Sequence, residues 1–126
     1  MINFYECRHC GNIVMFVKSS GVVSICCGDQ MQMMVPGTSD GATEKHVPVI
    51  IVNGDRVVVK IGEKNHPMEK DHYIEWIVLE TNKGIHATHL DYDDKDAAAG
   101  FTLQDGEHAI AAYEYCNIHG LWMKEL

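Results

Sequence analysis

Four cysteines crowd into the first 27 residues, and they restrict the fold more than any other feature of the chain. Cys7-Arg8-His9-Cys10-Gly11 is a Cys-x-x-Cys turn, and Cys26-Cys27-Gly28 follows after 15 intervening residues. A Cys-x-x-Cys turn lets two thiolates reach one ion, and the glycine behind each pair frees backbone N–H groups to face the sulfurs. Between the pairs lie two β-like runs, residues 13–17 and 22–25, joined by Ser19-Ser20-Gly21. Residues 1–36 bury too little apolar surface to be stable alone, so a metal staple is expected. Four thiolates suit tetrahedral zinc or a single iron, and ligand softness does not separate the two. The competing reading, a redox Cys-x-x-Cys beside two unrelated cysteines, is disfavoured by the adjacent, Gly-flanked second pair. His9 lies inside the first turn and is left out, because four thiolates already complete a tetrahedron.

Pro36-Gly37-Thr38-Ser39-Asp40-Gly41 is rich in turn formers and marks the boundary to a second domain, residues 37–126. There Asn53-Gly54-Asp55 separates two β-branched runs, 47–52 and 56–61, which reads as a hairpin with a type I′ turn. Further strands are expected at 73–80, 85–90, 100–103, 107–116 and 121–124, with no amphipathic helix among them. Seven strands in this length indicate an antiparallel sandwich of immunoglobulin-like size. The acidic stretch 91–96 lacks the spacing of a calcium loop and reads as a solvated connector.

The net charge of −8 argues against nucleic acid and anionic membrane as partners. No apolar run approaches the roughly 20 residues of a membrane span, and the N-terminus lacks a basic and apolar leader, so a cytoplasmic protein is expected. Five cysteines in a reducing compartment read as ligands rather than disulfides. Charge is unevenly spread: residues 45–70 hold five basic and three acidic side chains, a net +2, which leaves −10 for the remainder.

Eight histidines are present. His46 ends Glu44-Lys45-His46 just before a strand, and His66 and His72 bracket one loop, with Pro67 holding His66 extended. Period 2 places His72 on one face with Ile74, Trp76 and Val78. Cys116-Asn117-Ile118-His119 puts a thiol and an imidazole three positions apart, near enough to close on one ion. Singly, each residue is more often surface or packed core; together they sit at strand ends, where a rigid sandwich can present them to one point. His86, His89 and His108 have no partner motif and are read as ordinary surface or strand residues.

On Glu44-Lys45-His46-Val47-Pro48, His66-Pro67-Met68, His72 and Cys116-Asn117-Ile118-His119, with the N-terminal cysteines in order, the whole chain resembles desulfoferrodoxin, the two-iron class of superoxide reductase. The resemblance implies an all-β chain, with a small desulforedoxin-like module ahead of the immunoglobulin-like sandwich. It implies two iron ions per chain: one held by Cys7, Cys10, Cys26 and Cys27, the other by His46, His66, His72 and His119 with Cys116 as axial thiolate. It further implies one-electron reduction of superoxide to hydrogen peroxide at the second iron. Lys45 would attract the anion there, and Glu44 would be a carboxylate able to approach the oxidised metal. A rubredoxin-like electron donor and a homodimer complete the implied set. Three alternatives remain open: an electron-transfer protein with no open position, a zinc-bound structural module, and a dismutase that needs no donor.

Overall fold

The computed structural model describes residues 1–38 and 41–126, which divide into two compact units, Met1–Val35 and Pro36–Leu126. The expected turn-rich junction at 36–41 lies partly outside the described residues. No helix among them is long and apolar enough to cross a membrane.

In the first unit the cysteine turns are hairpin loops. Strand β1 (Phe4–Glu6) pairs antiparallel with β2 (Ile13–Met15) on one side and β5 (Gln32–Met33) on the other. Its loop is closed by the Gly11 N–H donating to the Cys7 carbonyl and the Cys7 N–H donating to the Asn12 carbonyl, both at 2.9 Å. Strand β3 (Ile25–Cys26) pairs with β4 (Asp29–Gln30) around Cys27-Gly28, both of which adopt positive φ, 52° and 82°. Left-handed backbone at a non-glycine residue costs roughly 1–2 kcal/mol. Here it lets two adjacent sulfurs reach one cluster. Of the two β-like runs, 13–17 and 22–25, only Ile13–Met15 and Ile25 lie in strands, the first pairing with β1 and the second with β4, and Val17 and Val22 are exposed. Phe4, Cys7 and Met31 are the buried apolar residues of this unit, too few to cover another strand pair.

The second unit is an antiparallel sandwich of seven strands. One sheet has the order β10-β7-β6, from β6 (Pro48–Asn53), β7 (Arg56–Ile61) and β10 (Ala98–Thr102). The other has the order β12-β11-β8-β9, from β8 (Ile74–Thr81), β9 (Gly84–His89), β11 (Ala109–Cys116) and β12 (Gly120–Glu125). Alternation along β7 drives Val57, Val59 and Ile61 inward, where they meet Ile74, Ile77 and Leu79 of the facing sheet, with Phe101 and Cys116 in the same cluster.

Two local expectations change. The β6–β7 turn closes on the Asn53–Arg56 pair with Gly54 (φ 63°) and Asp55 at its centre, and only Gly54 has positive φ. That is the type II′ pattern, glycine first, rather than type I′. On β8, Ile74 and Ile77 are both core residues whereas Trp76 is not. The pairing of β8 with β11 slips between Tyr115↔Trp76 and Cys116↔Ile74, leaving Glu75 as the extra residue of a bulge. The bulge breaks the expected Ile74, Trp76, Val78 face and lies directly opposite Cys116.

At the far end, Glu107 joins three segments. One carboxylate oxygen accepts from the Thr81 hydroxyl at 2.6 Å and contacts His86 Nε2 at 2.9 Å, and the other accepts from the Gln104 N–H at 2.8 Å. The Thr81 hydroxyl, the Gln104 N–H and His86, in that order, hold its pKa down from the ordinary 4.5 to about 2. A depressed carboxylate stabilises the fold fully above its unfolded pKa and loses that contribution as the pH falls through the folded one. Wild type should therefore exceed Glu107→Gln in thermal midpoint at pH 6, with the gap closing towards pH 2. A gap independent of pH in parallel calorimetric scans would contradict this role.

Candidate metal centres

Two groups of donors form, one in each unit. In the first, the ligand atoms of Cys7, Cys10, Cys26 and Cys27 all lie within 4.8 Å of one another. Cys10 Sγ is 3.6 Å from Cys26 Sγ, and the Asn12 amide points at the latter from 3.7 Å. The Cys10 backbone N–H draws the Cys7 thiol down to about 6. Cys27 is pushed up to about 12, because its proton is held by the sulfurs of Cys10, Cys7 and Cys26. Such a cluster carries one thiolate readily and four only around a cation.

In the second unit five donors converge at one end of the sandwich. A single helical turn, α1 (Thr43–His46), ends on buried His46, where the sequence reading placed only a lead-in to β6. His66 comes from the β7–β8 connection, His72 from just before β8, Cys116 from the end of β11 and His119 from the β11–β12 turn. Their ligand atoms again fall within 4.8 Å of one another. The four imidazoles make a closed square. Neighbouring ring centroids are 4.6 Å (His46–His66), 4.7 Å (His66–His72), 5.1 Å (His72–His119) and 4.8 Å (His119–His46), each pair near perpendicular. The diagonal from His46 to His72 is 6.5 Å. Cys116 is wholly buried in the core, its sulfur 3.5 Å from His66 Nε2 and 3.9 Å from His119 Nδ1.

The hydrogen bonds behind the rings decide what this square can hold. His46 Nδ1 meets the Ala42 carbonyl at 2.8 Å and His66 Nδ1 meets the Pro67 carbonyl at 2.7 Å. A carbonyl only accepts, so both Nδ1 atoms carry the proton and both Nε2 atoms present lone pairs. Those two Nε2 atoms face each other at 3.1 Å. His72 Nε2 is buried without a hydrogen-bond partner. Protons do not resolve the conflict, since burial lowers the pKa of His46, His66 (to about 4) and His72, leaving the rings neutral. Four imidazole nitrogens and a sulfur facing one point fit a metal cation.

Sequence reasoning missed the residues that set these donors. The Asn117 side chain accepts from the Tyr73 N–H at 2.9 Å and donates to the Asp71 carbonyl at 3.0 Å, tying the Cys116–His119 turn to the His72 loop. Trp122 stacks on His46 at 5.0 Å, and its indole N–H donates to the His119 carbonyl at 3.0 Å. Gly62 (φ 81°) passes so close to Lys45 that a Cβ would stand 2.7 Å from its backbone, so the α1 turn requires glycine there. The one available signal was asparagine and glycine beside ligand candidates. Lys45 is exposed, and its charge acts on His46 and His72. Glu44 lines a separate groove of about 560 Å³ with Glu63 and Lys124. Burial raises the Cys116 thiol, whereas the N–H groups of His119 and Ile118 favour its thiolate. Two residues earlier, Glu114 is buried with neither oxygen partnered and is pushed up to about 9 by desolvation, hence neutral at pH 7. His86 belongs to the Glu107 network rather than to either group.

Residues 38–125 match the model of the family described as Desulfoferrodoxin. The desulfoferrodoxin of Syntrophotalea carbinolica is 42% identical over 124 residues, covering 98% of this chain and 96% of that protein. The desulfoferrodoxin of Nitratidesulfovibrio vulgaris is 43% identical over 121 residues, with 96% and 94% covered. Among solved structures, the superoxide reductase from Treponema pallidum superposes with a TM-score of 0.83 at 34% identity, covering 99% of both chains.

Asn117→Ala removes both loop-to-loop bonds, worth about 1 kcal/mol each. It should also weaken metal retention in the second group about 10- to 100-fold, the usual effect of losing an outer hydrogen bond. Competition with a chelator measures the retention directly. Equal retention in variant and wild type would show that Asn117 does not position the donors.

Proposed function

The chain belongs to the desulfoferrodoxin family and is a superoxide reductase, and we propose that it works at an iron held by His46, His66, His72, His119 and Cys116. The single observation that carries the site assignment is the convergence of five ligand atoms within 4.8 Å of one another, with the Nε2 lone pairs of His46 and His66 facing each other, an arrangement suited to a cation. Superoxide takes up one electron and two protons and leaves as hydrogen peroxide. Iron held by these residues would supply the electron.

The chain's own residues do the rest. The carbonyls of Ala42 and Pro67 lock two rings in the metal-binding tautomer. Cys116 occupies the core side, out of contact with solvent, whereas His72 and His119 are half-buried. Lys45, exposed beside them in the segment of net +2, draws superoxide towards a protein of charge −8 and holds water for protonation. Neutral imidazoles and a protonated Glu114 keep further negative charge away from the anion. Glu44 is the carboxylate that would approach the oxidised centre between turnovers, turning from the groove it now lines.

Residues 1–36 form the module of a second iron, on Cys7, Cys10, Cys26 and Cys27, and 37–126 the catalytic domain. Its few buried side chains and the strained φ at Cys27 support a module held by its metal. Exposed Val17, Val22 and Ile25 support its pairing with a second copy in a homodimer. Electrons come from an external carrier of the rubredoxin type.

Lys45→Ala should slow the bimolecular reaction of the reduced protein with superoxide about tenfold at low salt and flatten its ionic-strength dependence, as loss of a steering charge does. Pulse radiolysis reads both, and an unchanged rate and salt slope would remove Lys45 from the mechanism. The same experiment should give one peroxide per superoxide and no oxygen. Oxygen evolution at half the superoxide consumed would identify a dismutase instead. Stripping the metal from the cysteine group should expose the amides of β1, β2 and β5 to hydrogen exchange. Persistent protection of those strands would mean that the module folds without a metal.

A further inference from the structure

The outward face of the three-stranded sheet is unusual for a sandwich, whose exposed faces are ordinarily polar. With Val57, Val59 and Ile61 pointing into the core, register places Ile51 beside Val58, and Val49 and Ala98 on either side of Lys60, on the outer side. Ile51 is 51% exposed. A cavity of about 310 Å³ opens on this face, with Ile51, Val58, Lys60, Asn65, Lys95 and His66 among its lining residues. Its rim carries Lys60 and Lys95 against Asp96, and among the described residues neither lysine has an ion-pair partner. His66, one of the lining residues, is also a member of the donor group, its Nε2 lying 3.5 Å from Cys116 Sγ and 3.1 Å from His46 Nε2.

We propose that this apolar, cation-rimmed cavity is the docking seat of the external electron donor, a small acidic one-electron carrier protein, and that the electron enters the centre through the His66 imidazole. The proposal rests on the reductase reading, since a dismutase needs no donor. Three observations choose this occupant. The lining holds Lys60 and Lys95 against Asp96, with Asp91, Asp93 and Asp94 of the acidic stretch outside it, so on a chain of net −8 the cavity itself is a place that favours an acidic partner. A second copy of this chain is disfavoured, because a two-fold interface sets the same patch against itself and would oppose the lysines to one another. Finally, the cavity is a small seat, in keeping with the limited contact areas of transient electron-transfer pairs, and one of its lining residues, His66, belongs to the centre itself.

The test uses the iron-loaded full chain and the double variant Lys60→Glu/Lys95→Glu. Stopped-flow measurement should show reduced rubredoxin re-reducing the oxidised wild type faster than it re-reduces the variant, by about tenfold or more at low salt, with the gap shrinking as salt rises. Reduction by hydroquinone, a neutral small molecule, should be the same in both proteins, and the reduced centre of both should still be oxidised by superoxide. An unchanged rubredoxin rate in the variant, an equal slowing with hydroquinone, or a change in subunit number by sedimentation would each overturn the proposal. So would rubredoxin reducing the wild type no faster than hydroquinone. Loss of the superoxide reaction in wild type and variant alike would instead refute the reductase reading, through a separate signal.

Discussion

Two neutral imidazole nitrogens, both bearing lone pairs, face each other at 3.1 Å inside the end of a β-sandwich. Their nearest other neighbours are donors of the same group, His119 Nδ1 at 3.0 Å from His46 and Cys116 Sγ at 3.5 Å from His66, and the carbonyls of Ala42 and Pro67 prevent either ring from turning its proton inward. The rest of the second unit can be read as the scaffold that enforces this arrangement. The core fixes Cys116, the α1 turn fixes His46 against Trp122, and Asn117 fixes the two remaining loops to each other. A site built this way is preorganised for a cation and destabilised without one.

The cysteine group solves the same problem by other means. Its unit has almost no apolar interior, so four sulfurs stand where a core would be. Strain is accepted at Cys27 to bring adjacent side chains to one point. The two groups therefore differ in what the metal does for the fold. In the first unit a bound ion would replace the hydrophobic core, and in the second it would complete one end of a core that already exists.

Much of this was legible in the sequence. Alternating β-branched runs and Gly-containing turns place each of the seven strands of the second unit to within two residues of its observed bounds, because burial on one face forces period 2. The cysteine group follows from residue type and spacing, whereas the histidine and Cys116 group was legible through the family resemblance its motifs carry. What stayed hidden depends on three-dimensional pairing. The bulge at Glu75 arises from a register slip between β8 and β11, which no single strand encodes. Asn117, Trp122 and Gly62 act through contacts with segments 44, 76 and 17 residues away, His46 and Lys45 among them. The first unit's hairpins escaped because two- and three-residue strands carry too few side chains for a pattern. Glu114 escaped because a buried, unpartnered carboxyl runs against every expectation from composition.

The central claim is that each chain holds two irons, one among four cysteines and one among four histidines and Cys116. Metal analysis of the natively purified protein with its visible spectrum, beside that of Cys116→Ser, tests this most directly. The expected result is two irons per chain and two thiolate-to-iron absorption systems, of which the variant loses one and keeps the other. A colourless protein with stoichiometric zinc, or a spectrum untouched by the loss of Cys116, would contradict it.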